Sequence, residues 1–212
     1  GTTANCDMEE YPAPWNWPAA VTYNNGGVLA CGGHFLEDAD HCWSFNGSAW
    51  SSLPNSKQKH CNHDSPNVFV MDGWWITGLL QIGDAWKCSF SSSTSEVFTG
   101  SDWKPGPALP GDDFLRYSCA VNLNATHTFL IGGGYPVRND VWLYDWSSQA
   151  WTRTGSLTKG RWAHGCVSLG HQGILVVGGY NGSDAVYTVE LYDPVLGTWS
   201  SQPDLPRDIN PV

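Results

Sequence analysis

A chain of 212 residues that is 41 % apolar and holds 13 tryptophans can bury a core, which excludes a disordered segment. Its formal net charge of −10, from 10 basic and 20 acidic residues without a Lys/Arg cluster, excludes the concentrated positive surface that nucleic acids and anionic membranes require. No apolar run approaches the roughly 18 residues of a membrane-crossing helix, and 24 glycines with 13 prolines punctuate the chain as short strands and turns do.

After an N-terminal segment, 1–11, the chain divides into four units, at about 12–58, 59–110, 111–158 and 159–212. Unit one predicts strands at 19–23, 27–31 and 42–45, with Gly32-Gly33 closing the second and Trp50 opening a fourth. Unit two is irregular. It predicts strands at 66–71, 74–77 and 96–98, with a degenerate Gly78-Leu79, a long insertion through Trp86-Lys87-Cys88, and Trp103. Unit three predicts strands at 117–123, 127–131 and 141–145, with Gly132-Gly133 and Trp151. Unit four predicts 164–169, 173–177 and 188–193, with Gly178-Gly179 and Trp199. A Leu follows each repeat Trp, at Leu53, Leu109, Leu157 and Leu205, and three of these precede Pro. The Trp-to-Trp steps are 53, 48 and 48 residues, a period that means a blade-by-blade β-propeller of four-stranded antiparallel blades.

These marks resemble the kelch repeat over nearly the whole chain after about residue 12. Gly132-Gly133 with Tyr144-Asp145 and Trp151, and Gly178-Gly179 with Tyr192-Asp193 and Trp199, carry the resemblance; Phe45-Asn46 and Phe98-Thr99 replace Tyr-Asp in the first two units. The resemblance implies an all-β propeller in which the glycines let a neighbouring blade approach and the Tyr and Trp pack between blades. It also implies a ring of more than four blades. The expectations, in order, are a piece of a longer propeller, two chains completing one ring, and a small four-bladed ring.

Seven cysteines and three N-glycosylation sequons, at Asn46, Asn124 and Asn181, point to an oxidising, secreted location, similar to secreted invertebrate kelch-motif proteins. Cys31 and Cys42 flank the turn between the second and third strands of blade one, close enough to bridge. Cys61–Cys88 is expected at the two ends of the irregular region, and Cys119–Cys166 between two innermost strands. Cys6 is left unpaired or intermolecular.

No catalytic constellation occurs: the chain has no Gly-x-Ser-x-Gly, no His-Glu-x-x-His and no phosphate-cradling loop. Copper-radical oxidases use kelch-like propellers, but nothing here matches their Tyr–Cys cross-link, so an oxidase is a remote alternative. His34, Glu37, Asp38, Asp40 and His41 crowd one loop, and His60, Cys61 and His63 another. Both read as solvated loops rather than metal sites, and no cofactor is expected.

A basic residue follows the Leu in each unit: Lys59, Arg116, Arg161 and Arg207. Arg116-Tyr117 and Arg161-Trp162 add aromatic surfaces. In intracellular kelch relatives such an Arg rings the ligand pocket and captures acidic groups, so the resemblance implies that Lys59, Arg116, Tyr117, Arg161, Trp162 and Arg207 form a ligand or partner face. Surplus tryptophans, with Trp15, Trp17 and Trp162 expected at the surface, suit a sugar or pigment-like ligand as well. The sequence therefore reads as a secreted, glycosylated, non-enzymatic module that binds a protein partner or a second copy of itself in an extracellular assembly. The alternative is a carrier of a small hydrophobic or carbohydrate ligand.

Overall fold

In the computed structural model of the protein, the structure describes residues 19–23, 27–31, 40–57, 67–71, 75–79, 95–98, 101–105, 110, 118–134 and 136–207. The chain is all-β, with sixteen strands in four antiparallel sheets. Sheet one comprises β1 (Ala19–Tyr23), β2 (Gly27–Cys31), β3 (Cys42–Phe45) and β4 (Trp50–Leu53). Sheet two comprises β5 (Asn67–Met71), β6 (Trp75–Leu79), β7 (Ser95–Phe98) and β8 (Trp103–Pro105). Sheet three comprises β9 (Cys119–Asn124), β10 (His127–Ile131), β11 (Val141–Asp145) and β12 (Ala150–Arg153). Sheet four comprises β13 (Gly165–Ser168), β14 (Ile174–Val177), β15 (Val189–Asp193) and β16 (Thr198–Gln202). Each sheet is an up-and-down meander in chain order.

Two details differ from the sequence reading. The degenerate pair Gly78-Leu79 lies inside β6 rather than beyond it, because Gly78 pairs with Val68 on one side and Glu96 on the other, which keeps the backbone extended. The turn between β13 and β14 contains a short 3₁₀ turn, Gly170–Gln172.

The sheets are blades. Their first strands pack consecutively, β1 on β5, β5 on β9 and β9 on β13, and among the described residues no comparable packing joins β13 to β1. Alternation along each strand sends side chains to the two faces of a blade, and the core forms between facing blades. Phe129, Ile131 and Val141 of blade three meet Ile174, Val176 and Tyr192 of blade four in one buried cluster, with Leu157 beneath. The repeat Tyr and Trp form an aromatic pair in each of these blades: Tyr144–Trp151 at 4.9 Å and Tyr192–Trp199 at 5.3 Å between ring centroids. Phe45–Trp50, at 5.1 Å, takes the same place in blade one. The repeat indole also ties its blade to the preceding one: Trp103 Nε1 donates to the Pro54 carbonyl at 2.8 Å, and Trp199 Nε1 to the Gly155 carbonyl at 2.9 Å.

Candidate binding face

The loops on the second-to-third-strand side of a blade interlock with the segments that lead from blade to blade. Gly133 N donates to the Arg161 carbonyl, Arg161 N to the Arg138 carbonyl and Leu157 N to the Asn139 carbonyl, all between 2.8 and 3.0 Å. Two glycines make this possible. Gly132, at φ +58°, and Gly179, at φ +97°, adopt left-handed backbone. A Cβ at Gly132 would lie 2.7 Å from the Arg161 carbonyl oxygen, and one at Gly179 would lie 2.7 Å from that of Trp162. The recurring Gly-Gly is therefore a close-approach device and takes no part in ligand chemistry.

Arg161 corrects the expectation of a ring of ligand-facing cations. Its side chain is 0 % exposed, and so is that of Glu190. Arg161 Nη1 donates to the Gly178 and Thr188 carbonyls at 2.9 and 2.7 Å. Its Nη2 donates to Thr188 Oγ1 and Glu190 Oε1, both at 2.7 Å. Glu190 Oε2 in turn accepts the Thr158 N–H at 2.8 Å. The guanidinium thus clamps the segment leading into blade four onto the ends of β14 and β15. Committed to four acceptors and shut off from water, it cannot meet a partner's carboxylate. A sequence signal for this existed. Glu190 stands opposite Val176 in the ladder, on the inward face, where a charge needs a cation.

His164 lies beside this clamp, fully buried. Burial first, and the Arg161 charge second, hold its imidazole down to about 3, so it is neutral. Neither of its ring nitrogens makes a well-formed hydrogen bond, and the nearest backbone acceptor is the Ile131 carbonyl.

The groups that do reach the surface gather on the loops of blade four. Trp162 and Tyr180 exchange backbone hydrogen bonds of 2.9 Å in each direction, and their rings meet edge to face at 5.5 Å. Both are half-buried. Tyr180 Oη donates to the Ser183 carbonyl at 2.8 Å, fixing the ring over the turn at Asn181. Arg207 is exposed, and its guanidinium carbon lies 5.5 Å above the Tyr187 ring. Leu205 N donates to the Tyr187 carbonyl, which anchors that segment. Lys159 is exposed nearby in sequence to Trp162. Cation and aromatic thus coincide at Arg207–Tyr187, and an aromatic pair stands at Trp162–Tyr180. Lys59, Arg116 and Tyr117 lie outside the described residues, as do Trp15 and Trp17.

The structure bonds Cys31 to Cys42, which are directly paired across β2 and β3 with Cα atoms 4.2 Å apart. It also bonds Cys119 of β9 to Cys166 of β13, Cα atoms 6.0 Å apart, linking blades three and four across 47 residues of chain. Cys6, Cys61 and Cys88 lie outside the described residues.

The three sequon asparagines share one geometry. Each is exposed at a turn, between β3 and β4 for Asn46, β9 and β10 for Asn124, and β14 and β15 for Asn181. Each Oδ1 accepts the backbone N–H two residues on, at 3.0, 2.9 and 2.9 Å, and for Asn46 and Asn124 the sequon hydroxyl as well. Among the described residues no hydrogen bond engages the Nδ2 of any of the three.

Of the acidic loop in blade one, Asp40 and His41 are described. Asp40 gives its carbonyl to Ser56 N at 2.8 Å and its Oδ2 to Asn55 Nδ2 at 3.4 Å. Among the described residues no group of three or more His, Cys, Asp or Glu could hold a metal ion, and no helix is long and apolar enough to cross a membrane. His34, Glu37, Asp38, His60 and His63 lie outside the described residues.

The model of the Kelch motif matches residues 163–206, which are blade four with its leading loop. Kelch-like protein 35 of Mus musculus is 34 % identical over 109 residues, 51 % of this chain and 18 % of that protein. Kelch-like protein 24 of Rattus norvegicus is 38 % identical over 94 residues, 43 % of this chain and 15 % of that protein. Kelch-like protein 6 of Homo sapiens is 34 % identical over 87 residues, 41 % of this chain and 13 % of that protein. The match spans less than a fifth of the length of each of these relatives.

Proposed function

This chain is a kelch-repeat protein, and on that premise we propose that it is a protein-binding module whose contact surface is the loop cluster of blade four. The observation that carries the reading is the stacking of the exposed Arg207 on Tyr187, with the Trp162–Tyr180 pair on the neighbouring loops. A guanidinium held flat on a ring presents a planar fork to a carboxylate at little further cost in side-chain order. Half-buried rings offer the apolar area on which binding hot spots are built. The partner chemistry that fits is an acidic loop carrying an aromatic or aliphatic anchor. The test is fluorescence anisotropy with a panel of acidic peptides and their amide counterparts. Binding that needs the carboxylates, weakens with salt and falls on Arg207→Ala is the expected result. Equal binding of the amide peptides counts against it.

We further propose that the protein works outside the cell as a glycoprotein. Two disulfides and three exposed turns with unengaged asparagine Nδ2 groups support this. Intact mass before and after peptide-N-glycosidase is the test: each occupied site loses its glycan and becomes Asp. A single unmodified mass from secreting cells contradicts the proposal. The carrier reading rests on the same half-buried Trp162, and co-purification of a sugar or an absorbing chromophore would favour it.

A further inference from the structure

Blade four repeats, on its outer face, the surface that blade three buries. In blade three, Val121, Phe129 and Leu143 are cross-strand neighbours in one row. This row belongs to the core that Ile174, Val176 and Tyr192 cover from blade four. In blade four the corresponding row is Val167, Leu175 and Leu191, paired in the same register. The match extends to Leu169 for Leu123, to Val177 for Ile131 and to Leu205 for Leu157. Every position of the covered surface is thus aliphatic again. Coverage is what differs. Phe129 is 1 % exposed and Ile131 0 %, whereas Val167 is 49 % exposed and Leu169 39 %.

Two backbone details repeat with it. The indole of Trp199 donates to the Gly155 carbonyl, and that of Trp103 to the Pro54 carbonyl; each acceptor lies four residues after the repeat Trp of its own blade. The same position in blade four is Pro203, whose carbonyl has no indole donor among the described residues. The chain also leaves β16 as it leaves β12: Leu205 N donates to the Tyr187 carbonyl at 2.8 Å, as Leu157 N does to the Asn139 carbonyl at 2.9 Å. From Leu157 that path leads directly into the first strand of the next blade, β13.

We propose that the outer face of blade four is an interblade interface whose occupant is a fifth blade of the same repeat, carried on the same polypeptide. That blade lays an aliphatic and aromatic face on the Val167–Leu175–Leu191 row, and its repeat Trp donates its indole N–H to the Pro203 carbonyl. The continuity of this row with the blade-three interface identifies the kind of occupant, and the exit path of the chain favours one joined in line.

The experiment compares the 212-residue chain with the same chain followed by a second copy of residues 159–207, which supplies Ile174, Val176, Tyr192 and Trp199 to the open face. Native mass and thermal melting are read for each, with and without Val167→Asp. The extended chain is expected to be monomeric and to melt at least about 5 °C higher. Val167→Asp should leave the 212-residue chain unchanged and abolish the gain in the extended one. Absence of a gain overturns the proposal. So does a 212-residue chain that is itself a dimer dissociated by Val167→Asp, since the occupant is then a second copy. A second comparison does not depend on the extension folding. In the 212-residue chain Val121→Asp, at the covered position, should lower the melting temperature sharply while Val167→Asp does not; equal losses overturn the proposal.

Discussion

The Nη2 of Arg161 and the Oε1 of Glu190 lie 2.7 Å apart with neither side chain reaching solvent. This pair fixes the approach of the chain to blade four. Removing one partner leaves a charge in the interior with nothing to balance it. Arg161→Ala is therefore expected to lose about 3–5 kcal/mol of unfolding free energy. Replacing both members by apolar residues of similar volume should restore most of that loss. Urea unfolding of the single and double variants measures both.

His164 makes stability depend on pH. Its folded value of about 3 lies below the ordinary 6.5, so the unfolded chain takes up a proton that the folded chain refuses. The contribution is complete above about pH 6.5 and is lost as pH falls toward 3, at about 1.4 kcal/mol per pH unit. His164→Gln is expected to flatten this part of the stability profile, read from melts between pH 7 and pH 4. An unchanged slope would show that other groups set it.

The Cys119–Cys166 bond closes a loop of 47 residues between blades three and four. Replacing both cysteines by Ala is expected to cost about 4 kcal/mol, the loop-closure value for that length. Denaturant unfolding under oxidising conditions checks this. The cross-strand Cys31–Cys42 bond spans 11 residues and should contribute less.

Glycine conformation and glycine space separate at two positions. Gly132 and Gly47 both have positive φ, but a Cβ at Gly132 meets the Arg161 carbonyl and the His164 ring, whereas one at Gly47 meets nothing within 4 Å. Gly47→Ala is expected to cost about 1 kcal/mol of backbone strain alone. Gly132→Ala should cost clearly more, because the next blade's leading loop must also move. Melting temperatures of the two variants test the difference.

Much of the fold was legible because its signals are local and repeat. Gly-Gly, Tyr-Asp and Trp recur at constant spacing, and each marks a strand end or an interblade contact. The blade-two pair was harder, since Gly78 pairs on both sides and stays within β6. The site was less legible. The position of Arg161 after Leu157 gives a cation near a loop but not its direction; only the register that turns Glu190 inward reveals its partner. The Trp162–Tyr180 pairing is an isolated bridge between two loops, with no alternation to announce it. The stacking of Arg207 on Tyr187 likewise depends on how the chain returns after β16.

The central claim divides the cations of blade four: Arg161 holds the fold and Arg207 meets the partner. An anisotropy titration of one acidic peptide against Arg207→Ala and Arg161→Lys tests this most directly, with a thermal melt of each variant beside it. Arg207→Ala is predicted to melt like the unaltered protein and bind on the order of tenfold more weakly, about 1.4 kcal/mol. Arg161→Lys is predicted to melt earlier and, below its transition, to bind as before. Unaltered binding by Arg207→Ala, with binding lost in a fully stable Arg161→Lys, would contradict the account.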